Sequence, residues 1–198
     1  MSRIPLIQLI EEKLPDDGKP WIINDSIMFS LYSIFNLVDR NKITNDITNL
    51  KQKCLRITKF DIKKDQYHEV VLRVARECPN LEILKFSHPK NIYIGVNDLI
   101  ISILKICPNI KFISNPYHGE TNPLNDETVI EIVRLCPKIE KFVLRGVSLT
   151  DKSLLAIANG CPELKELYLT SITPLALSEI SKKCKRLKIL DYNIKVVY

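Results

Sequence analysis

From Val71 to Tyr192 the chain runs five times through one pattern of apolar and polar positions, and a cysteine marks each copy. These cysteines are Cys78, Cys107, Cys136, Cys161 and Cys184, at intervals of 29, 29, 25 and 23 residues. Three positions past each stand Leu81, Ile110, Ile139, Leu164 and Leu187. Six past stand Leu84, Ile113, Phe142, Leu167 and Leu190, and eight past stand Phe86, Asn115, Leu144, Leu169 and Tyr192. Only Asn115 breaks the apolar rule, so the copies share a register and not merely a composition. Ahead of each cysteine, at seven and four residues before it, lie Val71/Val74, Ile100/Ile103, Val129/Ile132, Leu154/Ile157 and Leu177/Ile180. A spacing of three puts each pair on one face of a helix, whereas positions six and eight share one face of a strand. Helix starts are legible as well. Asn125 or Asp126 precedes "ETVIEIV", Thr150 or Asp151 precedes "KSLLAIANG", and Thr173 precedes Pro174, a favoured first helical residue.

Each unit therefore reads as helix, cysteine turn, short strand and loop. One such unit cannot bury its apolar face alone, whereas a stack of units buries a continuous core between a parallel sheet and a layer of helices. Periods of roughly 20–29 residues are those of leucine-rich repeats. The predicted fold is an α/β leucine-rich-repeat solenoid over residues 51–198, with the sheet on its concave side and the helices on its convex side. The cysteine has a plain role in it, as a small and weakly polar residue buried where helix meets strand. An earlier, weaker unit is placed at "QKCLRITKF", with Leu55 and Phe60 at positions three and eight, Thr58 at six and Gln52 in the cysteine's place. That alignment leaves Cys54 out of register and incidental.

The stretch "LTDKSLLAIANGCPELKELYL" (149–169) resembles the cysteine-containing class of leucine-rich repeats, and the resemblance covers roughly residues 50–198. Proteins of this class are mostly substrate-recognising subunits of cullin-based ubiquitin ligases. Relatives include non-enzymatic binding proteins similar to the antagonist-of-mitotic-exit family. Residues 1–50 do not follow the repeat register. "IPLIQLIEEKLPDD" reads as a short amphipathic helix, with Leu6, Ile7, Ile10 and Leu14 on one side and Pro15 ending it. With "SLYSIFNLVDRN" (30–41), which carries Leu31, Leu37 and Val38, it resembles a degenerate F-box. That resemblance implies that Leu6, Ile7, Ile10, Leu14, Pro15, Leu31, Leu37 and Val38 contact a Skp-type adaptor, and through it a cullin. The departures are a displaced leucine–proline start, an apparent insertion "GKPWIINDSIMF" and Lys42 near the place of the usual tryptophan. The alternative is a helical cap over the open end of the first repeat, which solenoids need for solubility.

The composition narrows the chemistry. There are only 5 glycines, and no run of about 18 apolar residues exists, so a membrane span is not expected. The first apolar stretch contains Glu11, Glu12 and Lys13, unlike a signal peptide, so the expected location is cytoplasmic or nuclear with reduced thiols. No CxxC pair occurs among the six cysteines, so no metal and no other cofactor is expected. His68, His88 and His118 read as loop or helix-start residues without a cysteine partner, and no phosphate-cradling glycine loop is present. An enzyme is not expected. A net charge of +6 is mild, and the basic runs at 51–64 and 182–188 lack the interleaved aromatics of a base-stacking surface, so nucleic acid is not the expected partner.

A partner protein is. Residues between the buried strand positions face outward on the concave side. Ile83, Phe112, Val143, Tyr168 and Ile189 should form an apolar band there, flanked by Lys85, Lys141, Arg145 and Asp191. Exposed aromatic and aliphatic groups beside arginine are what hot spots of protein binding use.

Overall fold

The computed structural model describes residues 19–24, 27–33, 52, 54–62, 68–86, 95–115 and 124–194. Seven strands form one parallel sheet whose spatial order is their order in the sequence. They are β1 (Trp21–Asn24), β2 (Ile57–Ile62), β3 (Ile83–Phe86), β4 (Phe112–Asn115), β5 (Lys141–Leu144), β6 (Glu166–Ile172) and β7 (Ile189–Ile194). Helical residues 27–33 (α1) follow β1. Then come α2 (His68–Ala75), α3 (Val96–Ile106), α4 (Asp126–Leu135), α5 (Asp151–Gly160) and α6 (Pro174–Lys183), one between each later pair of strands. From α2 on, each helix packs against the helix of the next unit. Sheet and helices share a single core, so the architecture is the expected leucine-rich-repeat solenoid.

The predicted register is the observed one in the five complete repeats. Leu84, Ile113, Phe142, Leu167 and Leu190 lie side by side across β3 to β7. The first four are fully buried, while Leu190 in the last strand is only partly covered. Each cysteine from Cys107 on caps the end of its helix, its N–H donating to the carbonyl four residues back. In four of the repeats the cysteine's own carbonyl accepts the N–H three residues on, as in Leu164 N to Cys161 O at 3.2 Å, which starts the turn into the strand. Entry to the strand is equally regular. Glu82 O accepts both Lys111 N (2.8 Å) and Phe112 N (3.0 Å), and Glu140 O accepts Lys165 N (2.7 Å) and Glu166 N (3.0 Å).

Two expectations about the first repeats are corrected. Phe60 pairs with Leu84 and Ile62 with Phe86, so they occupy positions six and eight, not Thr58 and Phe60. Counting back, Cys54 takes the cysteine position and Ile57 the third. Cys54 and Ile57 are buried, while Leu55, expected in the core, is 48% exposed. The reason is burial geometry. Sliding a strand by two residues keeps its faces but exchanges which apolar groups reach the core, and the sheet settles on Ile57, Phe60 and Ile62. The second correction concerns "GKPWIINDSIMF". What looked like an insertion in a helical module contains β1, which pairs in parallel with β2 and buries Trp21 and Ile23. The sheet thus begins inside the 1–50 segment, not at residue 51.

The helix starts carry a second ladder. The Asn125 side chain accepts from Thr128 N (2.9 Å), Thr150 from Lys152 N (3.2 Å) and Thr173 from Ala176 N (3.1 Å), so these three are the caps. Asp126 and Asp151, the other candidates, face the next unit instead. Asp126 accepts from Thr150 N (3.0 Å), the Thr150 hydroxyl (2.6 Å) and the Ser153 hydroxyl, and Asp151 accepts from the Thr173 hydroxyl. Thr150 and Thr173 are thus each held by a carboxylate of the preceding helix.

Packing between helices α4 and α5 leaves no room at Gly160, where a Cβ would overlap the Val133 Cγ1 methyl. Gly160→Ala should therefore lower stability by about 1–3 kcal/mol through overpacking, despite the better helix propensity of alanine. In a Val133→Ala background the same change should become neutral or stabilising by about 0.5–1 kcal/mol. Urea unfolding of the four proteins of this cycle measures the change of sign.

Candidate functional site

The open face of the sheet is built by the odd-numbered positions between the buried ones. Pairing lines up Ile22, Lys59, Ile83, Phe112, Lys141, Glu166 and Ile189 in one row across all seven strands. A second row runs Asn24, Asp61, Lys85, Ser114, Val143, Tyr168 and Asp191. All nine residues expected to meet a partner protein (Ile83, Lys85, Phe112, Lys141, Val143, Arg145, Tyr168, Ile189 and Asp191) thus share this face, Arg145 lying just past the end of β5.

Their character differs from the expected apolar band. Of the five apolar members only Ile189 is openly exposed, at 43%, while Ile83, Phe112, Val143 and Tyr168 are half-buried. The cover comes from cations lying over the rings. Lys85 Nζ is 5.5 Å and Lys141 Nζ 5.1 Å from the centre of the Phe112 ring. Lys141 Nζ is also 5.3 Å, and the Arg145 guanidinium 5.5 Å, from the centre of Tyr168. Lys141 in turn pairs with Glu166 at 2.6 Å, Arg145 pairs with Asp191, and the Tyr168 hydroxyl donates to Glu166 at 3.1 Å. The hydrogen bond from Lys141 holds the Glu166 carboxyl below the usual range. Such contacts are each worth about 0.5–1 kcal/mol at exposed sites, so they align side chains more than they stabilise the fold. Ser114, in the second row, is buried. Ile22 and Lys59 were missed because β1 was not recognised and β2 was read two residues out of step.

The adaptor residues fare differently. Leu6, Ile7, Ile10, Leu14, Pro15, Leu37 and Val38 lie outside the described residues. Leu31 is fully buried in the solenoid core with Ile27 and Met28, so it is not available to an adaptor while α1 is folded. This corrects the expectation for that residue: α1 serves as the helix of the first repeat.

All six cysteines are free thiols and buried. The Cys107 thiol donates toward the Ala75 and Cys78 carbonyls of the preceding repeat, both at 3.7 Å, and Cys184 toward Cys161 O at 4.0 Å. Burial pushes Cys107 up to about 11, and Cys136 and Cys161 up to about 12. Cys78 is raised by its hydrogen bond with Cys54 and by burial. A nucleophilic cysteine needs the opposite, an exposed thiol with a lowered pKa. His68 binds the carbonyl of Gly95, the residue before α3, through Nε2 (2.8 Å), while His88 and His118 lie outside the described residues. Among the described residues no group of three or more His, Cys, Asp or Glu side chains could hold a metal ion, and no helix is long and apolar enough to cross a membrane. In the basic run near the C-terminus, Lys182 and Lys183 pair with Glu179, and Arg186 with Glu163, as a solvated face would.

No family model matches the chain, and no curated protein matches it. Among solved structures, a tropomodulin C-terminal domain from Caenorhabditis elegans superposes with a TM-score of 0.41 at 12% identity, over 92% of this chain and 93% of that one.

The thiol row predicts an alkaline signature. A raised folded-state pKa favours the neutral thiol in the native protein, so its contribution is fully present below the unfolded thiol's value of 9.0. It is lost as pH rises from there toward the folded values of about 11 and 12. Urea unfolding from pH 8 upward should show falling stability, and Cys136→Ala should flatten part of that fall. At pH 8, Ellman's reagent should label the native thiols at least about a hundredfold more slowly than the unfolded chain, because reaction requires opening of the core.

Proposed function

We propose that this chain is a non-enzymatic recognition subunit that binds a partner protein on the open sheet face, and that its N-terminal segment couples it to a ubiquitin ligase through a Skp-type adaptor and a cullin. The observation that carries the recognition part is the pair of rows across the sheet. Aromatic and aliphatic groups are held half-exposed between oriented cations and carboxylates on a parallel sheet. Large side chains ordered before binding lose little entropy on contact, which is how a modest area gives useful affinity. Proximity, not covalent chemistry, is what such a face supplies.

The ligase part is supported by the cysteine class of the repeats, which Cys54 extends by one unit. Burial of Leu31 favours a second reading, a stand-alone binding scaffold whose first residues only complete the solenoid. The two separate cleanly. Purified Skp-type adaptor should be retained by the wild-type chain and lost with Leu14→Asp, since an acidic group in an apolar docking patch is expected to weaken binding by about tenfold or more. No retention by the wild-type chain, or retention indifferent to Leu14→Asp, removes the ligase reading and leaves the scaffold. For recognition itself, a partner captured by the wild-type chain should bind about tenfold or more weakly to Phe112→Ala/Tyr168→Ala, with circular dichroism confirming the fold.

A further inference from the structure

The charges on the open face are unevenly spent. Over β5 to β7 every cation has an acid: Lys141 has Glu166 and Arg145 has Asp191. Over β2 to β4 the lysines Lys59 and Lys85 stand on neighbouring strands with no carboxylate in ion-pair distance among the described residues. Among the described residues, Lys85 Nζ lies over the Phe112 ring. Asp61 lies opposite Lys85 in the register, yet the two form no ion pair and Asp61 has a partner elsewhere. Ile83 sits between Lys59 and Phe112 as an apolar seat. The strand β2 is also part of the run "KQKCLRITKFDIKK", which holds six lysines and arginines against one aspartate.

Resting on the protein-binding reading above, we infer that the β2–β4 half of this face receives an extended acidic segment of the partner. Its carboxylates meet Lys59 and Lys85, and an aliphatic side chain between them settles on Ile83 and the edge of Phe112. Every second residue of an extended segment points the same way, so the order Glu-x-Leu-x-Glu turns both carboxylates and the aliphatic group toward the face. A protein segment fits better than a nucleic acid. Base stacking needs open aromatic faces, and here Lys85 and Lys141 already crowd the Phe112 ring.

The test uses the full chain and a fluorescent glutamate–leucine peptide repeating Glu-Ser-Leu-Ser, which turns glutamates and leucines to one side. A lysine–leucine peptide of equal length and a single-stranded oligonucleotide serve as comparisons. The glutamate–leucine peptide should bind, and more weakly as salt rises. Lys59→Glu/Lys85→Glu should weaken it about tenfold or more. The charge-matched pair Lys182→Glu/Lys185→Glu, on the far end of the solenoid, should change it less than about twofold. Equal losses from both pairs, no binding of the acidic peptide, or preference for the oligonucleotide overturns the inference. These outcomes leave the recognition reading standing if the Phe112→Ala/Tyr168→Ala pair still weakens capture of the partner about tenfold or more. Loss of that second effect as well removes both.

Discussion

At every corner where a helix of this solenoid turns into a strand, backbone polar groups enter a core that no water reaches. A helix end leaves carbonyls without partners, and an unpaired buried carbonyl costs on the order of 1–3 kcal/mol. Side chains at the corner must therefore be small, apolar enough to be buried and still able to donate. Cysteine meets all three demands. Its N–H closes the last helical turn, its carbonyl opens the turn into the strand, and in Cys107 and Cys184 its thiol reaches back to a carbonyl of the preceding unit. Alanine lacks the donor, and leucine would not fit where repeat stacks on repeat. The cysteine row is thus a hydrogen-bonding device of the fold, and the same burial that makes it useful keeps its thiols neutral and unreactive.

From that constraint the stacking follows. A unit contacts only its neighbours, so stability is a sum of unit terms and interface terms. The interfaces are reinforced at three heights: thiol to carbonyl at the corner, one carbonyl receiving two N–H groups at the strand entry, and carboxylate to cap at the helix start. Charged pairs such as Lys111–Glu82 and Lys165–Glu140, both at 2.6 Å, add a further line along the edge where strands begin. They are half-exposed and contribute modestly.

Legibility in the sequence tracked how many constraints each residue satisfies at once. From Val71 on, the cysteine, three strand positions and two helix positions must all agree, and the chain showed the fold there residue by residue. At β2 the helix positions ahead of the cysteine are missing, and a reading anchored on Gln52 keeps only Leu55 and Phe60 in place. The alignment on Cys54 fills all four positions with Cys54, Ile57, Phe60 and Ile62, so the register was written in the sequence, and the burial of Ile57 agrees with it. Strand β1 has no cysteine and only four residues, and its buried Trp21 is held by the Arg56 guanidinium 4.6 Å from its ring, a contact between residues far apart in sequence. The face itself was legible as a face. Its chemistry was not, because whether a lysine stands free or lies over a ring depends on which strand is its neighbour.

That dependence matters for how the face works. Each strand contributes an ordinary sequence, and the surface property arises only between strands. Lys141 is fixed by three different partners, Phe112 and Tyr168 as rings and Glu166 as an acid, on the strands either side of it. A side chain held from three directions has few rotamers left to lose, so contact with it is favourable even where the contact itself is weak. Among the described residues Lys85 has one such restraint and Lys59 has none, and neither charge meets a carboxylate. The face therefore passes from restrained and neutralised at β5–β7 to less restrained and positive at β2–β4. The first half is suited to shape recognition, and the second to drawing an oppositely charged chain into place, which acts on association rate before it acts on affinity.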